Sequence, residues 1–250
     1  MIDAWIGALF IGISLGLLGS GGSILTVPVL IYLVGEPEKV AIAESLGIVA
    51  TISLVGAIPY AIRKEVDWKS VFYFGIPGMA GTYGGAALSV FLTGSMQLMI
   101  FATVMLLAAV MMIRKPKDLQ AKDKQAPIWL LVTEGLVVGV ITGLVGVGGG
   151  FLIIPALVLL GGLSMRIAVG TSLFIIAAKS LLGFYKYVDV LAKEDLSVNW
   201  NLLLIFTLIG IVGSFIGGKA SQFIPQQKLK RGFGFFLIVM GAYILYTNFS

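Results

Sequence analysis

Long apolar runs, separated by short polar stretches, occupy most of the chain. A helix needs about 20 apolar residues to cross the hydrocarbon core of a bilayer. Six runs approach or exceed this length, at residues 40–62, 70–92, 96–113, 165–187, 200–224 and 232–246. Two further apolar stretches are interrupted by glycines, with residues 2–18 resuming at 23–34 and residues 128–145 resuming at 150–162. The pattern predicts an all-α polytopic membrane protein.

The second half of the chain repeats the first. Residues 16–28 read GLLGSGGSILTVP and residues 143–155 read GLVGVGGGFLIIP, an offset of 127 (155 − 28). The register continues without a gap to residues 46 and 173, and it persists where residues 53–56 match residues 180–183. An insertion of five residues then moves the offset to 132, which pairs Trp68 with Trp200. The duplication predicts a first membrane repeat (residues 1–113), a cytoplasmic linker (114–127) and a second membrane repeat (128–250).

Each interrupted stretch is too long for a single crossing. Residues 2–34 would form a helix of about 50 Å, whereas the hydrocarbon core is about 30 Å thick. The second arm, residues 23–34, would be about 18 Å long as a helix and is too short to span alone. A hairpin that returns to the same side fits better. Each half then changes sides an odd number of times, which predicts two inverted repeats of about five helical elements, each opened by a glycine-broken helical hairpin.

The basic residues favour this topology over eight simple crossings, because Lys and Arg concentrate in cytoplasmic loops. With hairpins, three basic residues lie outside, namely Lys39, Lys186 and Lys193. Twelve lie inside: Arg63, Lys64, Lys69, Arg114, Lys115, Lys117, Lys122, Lys124, Arg166, Lys228, Lys230 and Arg231. Eight simple crossings would change this split of 12 against 3 to 10 against 5. The rule therefore predicts both chain termini on the outside.

Composition supports the membrane class and excludes several kinds of chemistry. Hydrophobic residues make up 58% and charged residues 12%, whereas soluble domains are about 25% charged. The chain has no cysteine and no histidine, which excludes disulfides and thiolate or imidazole metal sites, and no cofactor is expected. The net charge of +5 comes from loops between apolar runs, so nucleic acid is not an expected partner. Residues 1–18 have no basic start and are interpreted as a retained membrane element, not a signal peptide.

The glycine-rich breaks are candidate anion sites. Unpaired backbone groups are costly in lipid, so a break has to be buried in protein or line a wet cavity. A new helix begins after each break, near Ser23 and Gly150. The N-terminus of a helix offers N–H groups and partial positive charge to an anion. Two inverted repeats would bring both N-termini together near the midplane, as in transporters with broken helices.

The candidate substrate-binding residues are the two breaks, the hydroxyl groups near the start of the following helices, and one lysine. They are Gly19, Ser20, Gly21, Gly22, Ser23, Ser45, Gly146, Gly148, Gly149, Gly150, Thr171, Ser172 and Lys179. Small residues also let membrane helices pack closely. We assign that role to two other matched sets, Gly78, Gly81 and Gly85, and Gly210, Gly213 and Gly217.

Charged residues inside apolar runs are functional candidates by default. Lys179 would attract an anion; alternatively it forms a structural pair with Glu44 or Glu134, or extends to the surface. Glu44 is the candidate coupling residue, because it would bind a proton or pair with Lys179. The alternative for Glu44 is a carboxylate stabilised by the dipole at a helix start. Glu134 and Lys219 lie nearer segment ends and are interpreted as interfacial.

The paired motifs at residues 16–28 and 143–155, with the later run AVGTSL at 168–173, resemble the sulfite exporter TauE/SafE family, also called the sulfonate uptake permeases. The resemblance covers nearly the whole chain. It implies transport of sulfite, organosulfonates or related small anions across the inner (cytoplasmic) membrane. Ser20 and Ser23 stand where the second repeat has Val147 and Gly150, so the two half-sites are chemically unequal.

The sequence therefore predicts a multi-pass secondary transporter that works by alternating access, with the lipid bilayer and a small anion as partners and a homodimer left open. Proton coupling through Glu44 is compatible with this prediction. An anion channel and a carrier for another small organic anion remain alternatives. An enzyme is disfavoured because a serine nucleophile would have no histidine base and the metalloprotease motif is absent. A scaffold protein is disfavoured because the loops are short.

Overall fold

The computed structural model describes residues 2–18, 23–113, 127–159, 162–220, 223 and 226–249. Throughout these ranges the regular structure is helical. The first half contains α1 (Ile2–Leu18), α2 (Thr26–Val29) with a π-helix (Leu30–Val34), α3 (Glu38–Ile62), α4 (Trp68–Leu88) with a 3₁₀ turn (Ser89–Phe91), and α5 (Gly94–Ile113). The second half contains α6 (Ile128–Val145), α7 (Gly150–Leu159), α8 (Met165–Ala192), α9 (Trp200–Ala220) and α10 (Gln226–Phe249). The predicted linker lies outside the described residues, except for Pro127.

Several helices have the length and composition of membrane spans. Among the described residues four qualify, at Glu38–Ile62, Ile128–Val145, Arg166–Ala192 and Trp200–Ala220. Shorter apolar helices cover Ala4–Leu17, Ser23–Val34, Gly94–Leu107 and Gly234–Thr247. The prediction of an all-α membrane protein is therefore confirmed. α8 continues five residues beyond the predicted end at residue 187, since Val190 and Leu191 are buried in the core.

The first interrupted stretch folds back on itself. A Cβ placed on Gly7 of α1 would lie 2.7 Å from Val29 Cγ1 and 3.2 Å from Leu33 Cδ1. Residues before and after the break are thus side by side, as a hairpin requires. Its second arm is not one regular helix but passes from a 3₁₀ turn through α2 to a π-helix. Pro28 lies inside this arm, and its missing N–H interrupts the hydrogen-bond ladder.

The equivalent helices α3 and α8 pack against each other at the centre of the molecule. Of their apolar windows, 72% and 61% are buried, against 33% for α6 and α9. A Cβ on Gly56 would lie 4.0 Å from Leu173, whereas one on Gly47 would lie 3.3 Å from Phe184. Residue numbers therefore rise along α3 as they fall along α8, so the two helices are antiparallel. Inversion of the halves across the membrane stays a prediction, which this antiparallel pairing supports.

Two matched helix–helix interfaces, which we call seams, join the halves: α4 with α6, and α1 with α9. A Cβ on Gly139 of α6 would collide with the carbonyl oxygen of Gly78 in α4, and a Cβ on Gly12 of α1 would collide with that of Gly210 in α9. These pairs are related by the offsets of 127 and 132 residues found in the sequence (139 − 12 and 210 − 78). The close-packing role predicted for the glycines of α4 and α9 is confirmed. A Cβ on Gly81, Gly85, Gly213 or Gly217 would collide with a backbone oxygen atom of the partner helix.

Ion pairs connect the ends of α3 and α8 in matching ways. Lys39, at the start of α3, pairs with Glu194 just after α8. Arg166, at the start of α8, pairs with Glu65 just after α3, with an N–O distance of 2.9 Å. Because the two helices are antiparallel, these ion pairs lie at opposite ends of the central pair.

Candidate functional site

The two interrupted stretches meet at the centre of the molecule. A Cβ on Gly148 would lie 2.8 Å from Val49 Cγ1, 2.9 Å from Ile176 Cγ2 and 3.3 Å from Ser23 Cβ. Val49 and Ile176 are equivalent residues (176 − 49 = 127) near the middle of α3 and α8. Ser23 follows the first break and Gly148 belongs to the second, so the two breaks converge there. Gly19, Ser20, Gly21 and Gly22 lie outside the described residues.

The second break is a turn that only glycine accommodates at two positions. α6 ends at Val145, and α7 begins at Gly150. Between them Gly146 and Gly149 have φ values of 72° and 67°, which residues with a side chain rarely adopt. The Gly146 N–H donates to Thr142 O at 2.8 Å. The turn directs the N-terminus of α7, with its partial positive charge, towards the interior.

A buried polar network holds the end of α6. Gln97 Nε2 donates to Leu144 O at 2.7 Å and to the Tyr187 hydroxyl at 2.8 Å, and that hydroxyl donates to Leu144 O at 3.2 Å. Ser45 Oγ is within hydrogen-bonding distance of Gly146 O and of Ile42 O, which share its single proton. These contacts satisfy carbonyl groups that the helix end leaves without internal partners. Gln97 and Tyr187 were missed in the sequence, where the only signal was a polar side chain inside an apolar run.

Lys179 reaches this turn from α8. Its side chain is 0% exposed, and its Nζ lies 2.6 Å from the position of a Cβ on Gly149. Nζ donates to Thr142 Oγ1 at 2.9 Å, and Thr142 Oγ1 donates to Val138 O at 2.7 Å. Within the described residues Lys179 forms no ion pair, so the alternative pairs with Glu44 and Glu134 are not present. Thr142, which the sequence did not single out, completes the cluster.

This cluster is suited to an anion. When it is protonated, the amine of Lys179 and the partial positive charge at the N-terminus of α7 have the same sign, and both lie in a buried place. Burying a charge without a counterion is costly, and an anion between the two features would compensate both.

Other predicted residues lie elsewhere. Thr171 Oγ1 accepts a hydrogen bond from Asp67 N at 2.9 Å, and Ser172 Oγ donates to Val169 O at 2.8 Å. Both precede Lys179 by about two helical turns, so they are not part of the cluster at Gly149. Glu44 is buried, and its Oε1 accepts from Asn199 N at 2.9 Å. In the described part of the chain Glu44 Oε2 has no hydrogen-bond partner.

The chain is similar to known membrane proteins along almost its whole length. The model of the sulfite exporter TauE/SafE family matches residues 4–244. The chain belongs to this family. A probable membrane transporter protein of Xylella fastidiosa is 30% identical over 247 residues, covering 96% of this chain and 93% of the relative. Relatives described in the same words are 26% identical in Methanocaldococcus jannaschii, covering 95% and 94%, and 27% identical in Bacillus subtilis, covering 93% and 92%.

No solved structure matches the chain significantly. Membership of the TauE/SafE family, together with its apolar helices, makes the protein an integral, multi-pass membrane protein of a transporter family. The buried cluster around Lys179 and Gly149 is the candidate site of this TauE/SafE protein.

Proposed function

We propose that this TauE/SafE protein is a secondary transporter that moves a small sulfur-containing anion, such as sulfite or an organosulfonate, across the inner (cytoplasmic) membrane. The observation that carries the proposal is the fully buried Lys179, which lies beside the N-terminus of α7 without a carboxylate partner in the described residues. The sulfur chemistry follows from the family, whereas the preference for an anion follows from the geometry.

The fold supports alternating access around this site. The cluster lies at mid-height of α3 and α8, and the ion pairs Lys39–Glu194 and Arg166–Glu65 close the two ends of these helices. Because each end has its own ion pair, one pair can break while the other stays intact, and the site would then be exposed to one side at a time. The anion would be held by Lys179 and the N-terminus of α7, next to Ser23 and Gly148 from the two breaks.

Glu44 is the group proposed to couple transport to protons. Its carboxyl group is buried, and one oxygen is bonded to Asn199 N while the other has no partner in the described residues. In the other half Thr171 occupies the matching position and accepts from Asp67 N. The neutral hydroxyl of Thr171 thus accepts the same kind of backbone hydrogen bond in the second half that Glu44 Oε1 accepts in the first. The other carboxyl oxygen of Glu44 is the atom that a proton would bind.

Flux measurements in proteoliposomes test this proposal. Sulfite, methanesulfonate, sulfate and chloride are compared with and without an imposed pH gradient. We expect saturable uptake of sulfite or methanesulfonate, accelerated by the gradient in the wild-type protein and not in Glu44→Gln. Flux that rises linearly with concentration would instead indicate a channel. Absence of flux for both sulfur anions with folded protein would overturn the substrate assignment.

The site is tested in the same assay with Gly149→Ala. Its Cβ would lie 2.6 Å from Lys179 Nζ and would also crowd Thr142, so the ammonium has to move. We expect uptake to fall at least tenfold. Gly84→Ala is the matched control, because a Cβ there meets nothing within 4 Å, and it should transport normally. Equal activity of both variants would contradict the placement of the site.

A further inference from the structure

The two halves of the site differ in charge. At the offset of 127 residues, Ile52 corresponds to Lys179 (179 − 52) and Leu15 corresponds to Thr142 (142 − 15). Ile52 and Leu15 are both buried and apolar. The lysine and the hydroxyl group that orients it are therefore present in the second half only.

The equivalence of Ile52 and Lys179 is structural as well as sequential. A Cβ on Gly78 would lie 3.9 Å from Lys179 Cδ, and a Cβ on Gly210 would meet Ile52 Cδ1. Gly78 and Gly210 are themselves a matched pair (210 − 78 = 132). The side chains of Ile52 and Lys179 thus start from equivalent positions on α3 and α8 and occupy equivalent spaces. Only one of them ends in a cation.

Thr142 determines where that cation lies. Its hydroxyl donates to Val138 O at 2.7 Å, which orients the oxygen so that it accepts from Lys179 Nζ at 2.9 Å. The absence of a side chain at Gly149 leaves the space that Nζ occupies. Lys179 Nζ is thereby held beside Gly149, at the start of α7.

We propose that each chain binds a single anion whose charge is balanced by the second half, with Lys179 as its charged ligand and Thr142 as a positioning residue. This inference rests on the proposed function. A second anion in the first half would be buried next to Ile52 and Leu15, with an apolar side chain where the second half has Lys179, and the first anion would repel it at short range in a medium of low dielectric constant. From the first half, Ser23 lines the site beside Gly148.

Isothermal titration of the purified full-length protein with sulfite and with methanesulfonate tests the inference. We expect one site per chain. Lys179→Met should abolish binding, whereas the matched variant Ile52→Met should bind as the wild type does. Thr142→Val, which keeps the shape but removes the acceptor, should weaken binding about tenfold, since hydrogen bonds to charged groups are among the stronger ones. Thr142→Ser restores the acceptor and should recover the affinity.

The outcomes separate this inference from the proposed function. Two sites per chain, or unchanged affinity in Lys179→Met, would overturn the single-anion site while leaving transport of a sulfur anion intact. Equal affinities of Thr142→Val and Thr142→Ser would overturn the positioning role of Thr142. If neither anion binds folded wild-type protein, the sulfur-anion assignment and the single-anion site both fail.

Discussion

At the scale of single residues, Lys179 places an amine that is charged when protonated in the fully buried interior. A charge in a protein interior without a counterion lowers the free energy of unfolding. Thr142 offers a neutral acceptor, which compensates only part of the lost hydration. Under the proposed function, a bound anion would supply the missing counterion.

The melting temperature of Lys179→Met in detergent tests this interpretation. Methionine has a similar length and no charge, so we expect the midpoint to rise by about 2 °C or more in the absence of anions. Sulfite should raise the midpoint of the wild-type protein by mass action and leave that of the variant unchanged. A large fall in the midpoint of the variant would show that Lys179 serves the fold instead.

The sequence predicted the residue types at the site better than their contacts. Lys179, Gly148 and Gly149 were candidates because a charge and a glycine-rich break are conspicuous in an apolar chain. The contact between Lys179 and Thr142 joins residues 37 positions apart, and no local pattern encodes it. Thr142 itself was unremarkable, since a threonine inside a membrane helix usually bonds to its own backbone, as it also does here.

At the scale of helices, the glycines of α1, α4, α6 and α9 determine how closely the halves approach. Without side chains the backbones come into direct contact, which provides the dispersion energy that stabilises helix pairs in lipid. Each contact joins one half to the other, because α1 of the first half packs along α9 of the second, and α4 of the first half packs along α6 of the second. The first arm of each interrupted stretch, α1 or α6, is thus anchored to a helix of the opposite half.

Gly139→Ala and Gly12→Ala test the seams as a matched pair. Each added Cβ collides with a backbone carbonyl oxygen of the partner helix, so we expect a destabilisation of about 1–3 kcal/mol for each variant. Thermal melts in detergent measure it, with Gly84→Ala in open space as the control. Melting midpoints that match the control would show that the seams contribute little to stability.

At the scale of the whole molecule, the antiparallel packing of α3 and α8 is what two halves related by an approximate two-fold axis would show. Val49 and Ile176, which are equivalent in the two halves, both lie against Gly148 near the middle of these helices. If these helices cross the membrane, the same relation inverts one half relative to the other. The loop after α3 and the loop after α8 then lie on opposite sides.

Cysteine labelling tests the inversion directly, since the chain has no cysteine of its own. Arg63 and Lys193 are the exposed residues that follow α3 and α8. We expect an impermeant maleimide to label Lys193→Cys in intact cells, and to label Arg63→Cys only after the membrane is permeabilised. Labelling of both variants from the same side would refute the inverted topology.

The sequence by itself determined the membrane class, most helix boundaries and the position of both breaks, because apolar runs and glycine clusters are made by residues close together in the chain. It also determined the duplication, since comparison of the chain with itself reveals the repeat without any knowledge of packing. Only the tertiary structure decided that Ser23 meets Gly148, that Lys179 reaches Gly149 and Thr142, and that Glu44 bonds to Asn199 instead of Lys179. These partners are set by how α3, α6 and α8 pack, and packing depends on the shapes of surfaces that distant segments supply.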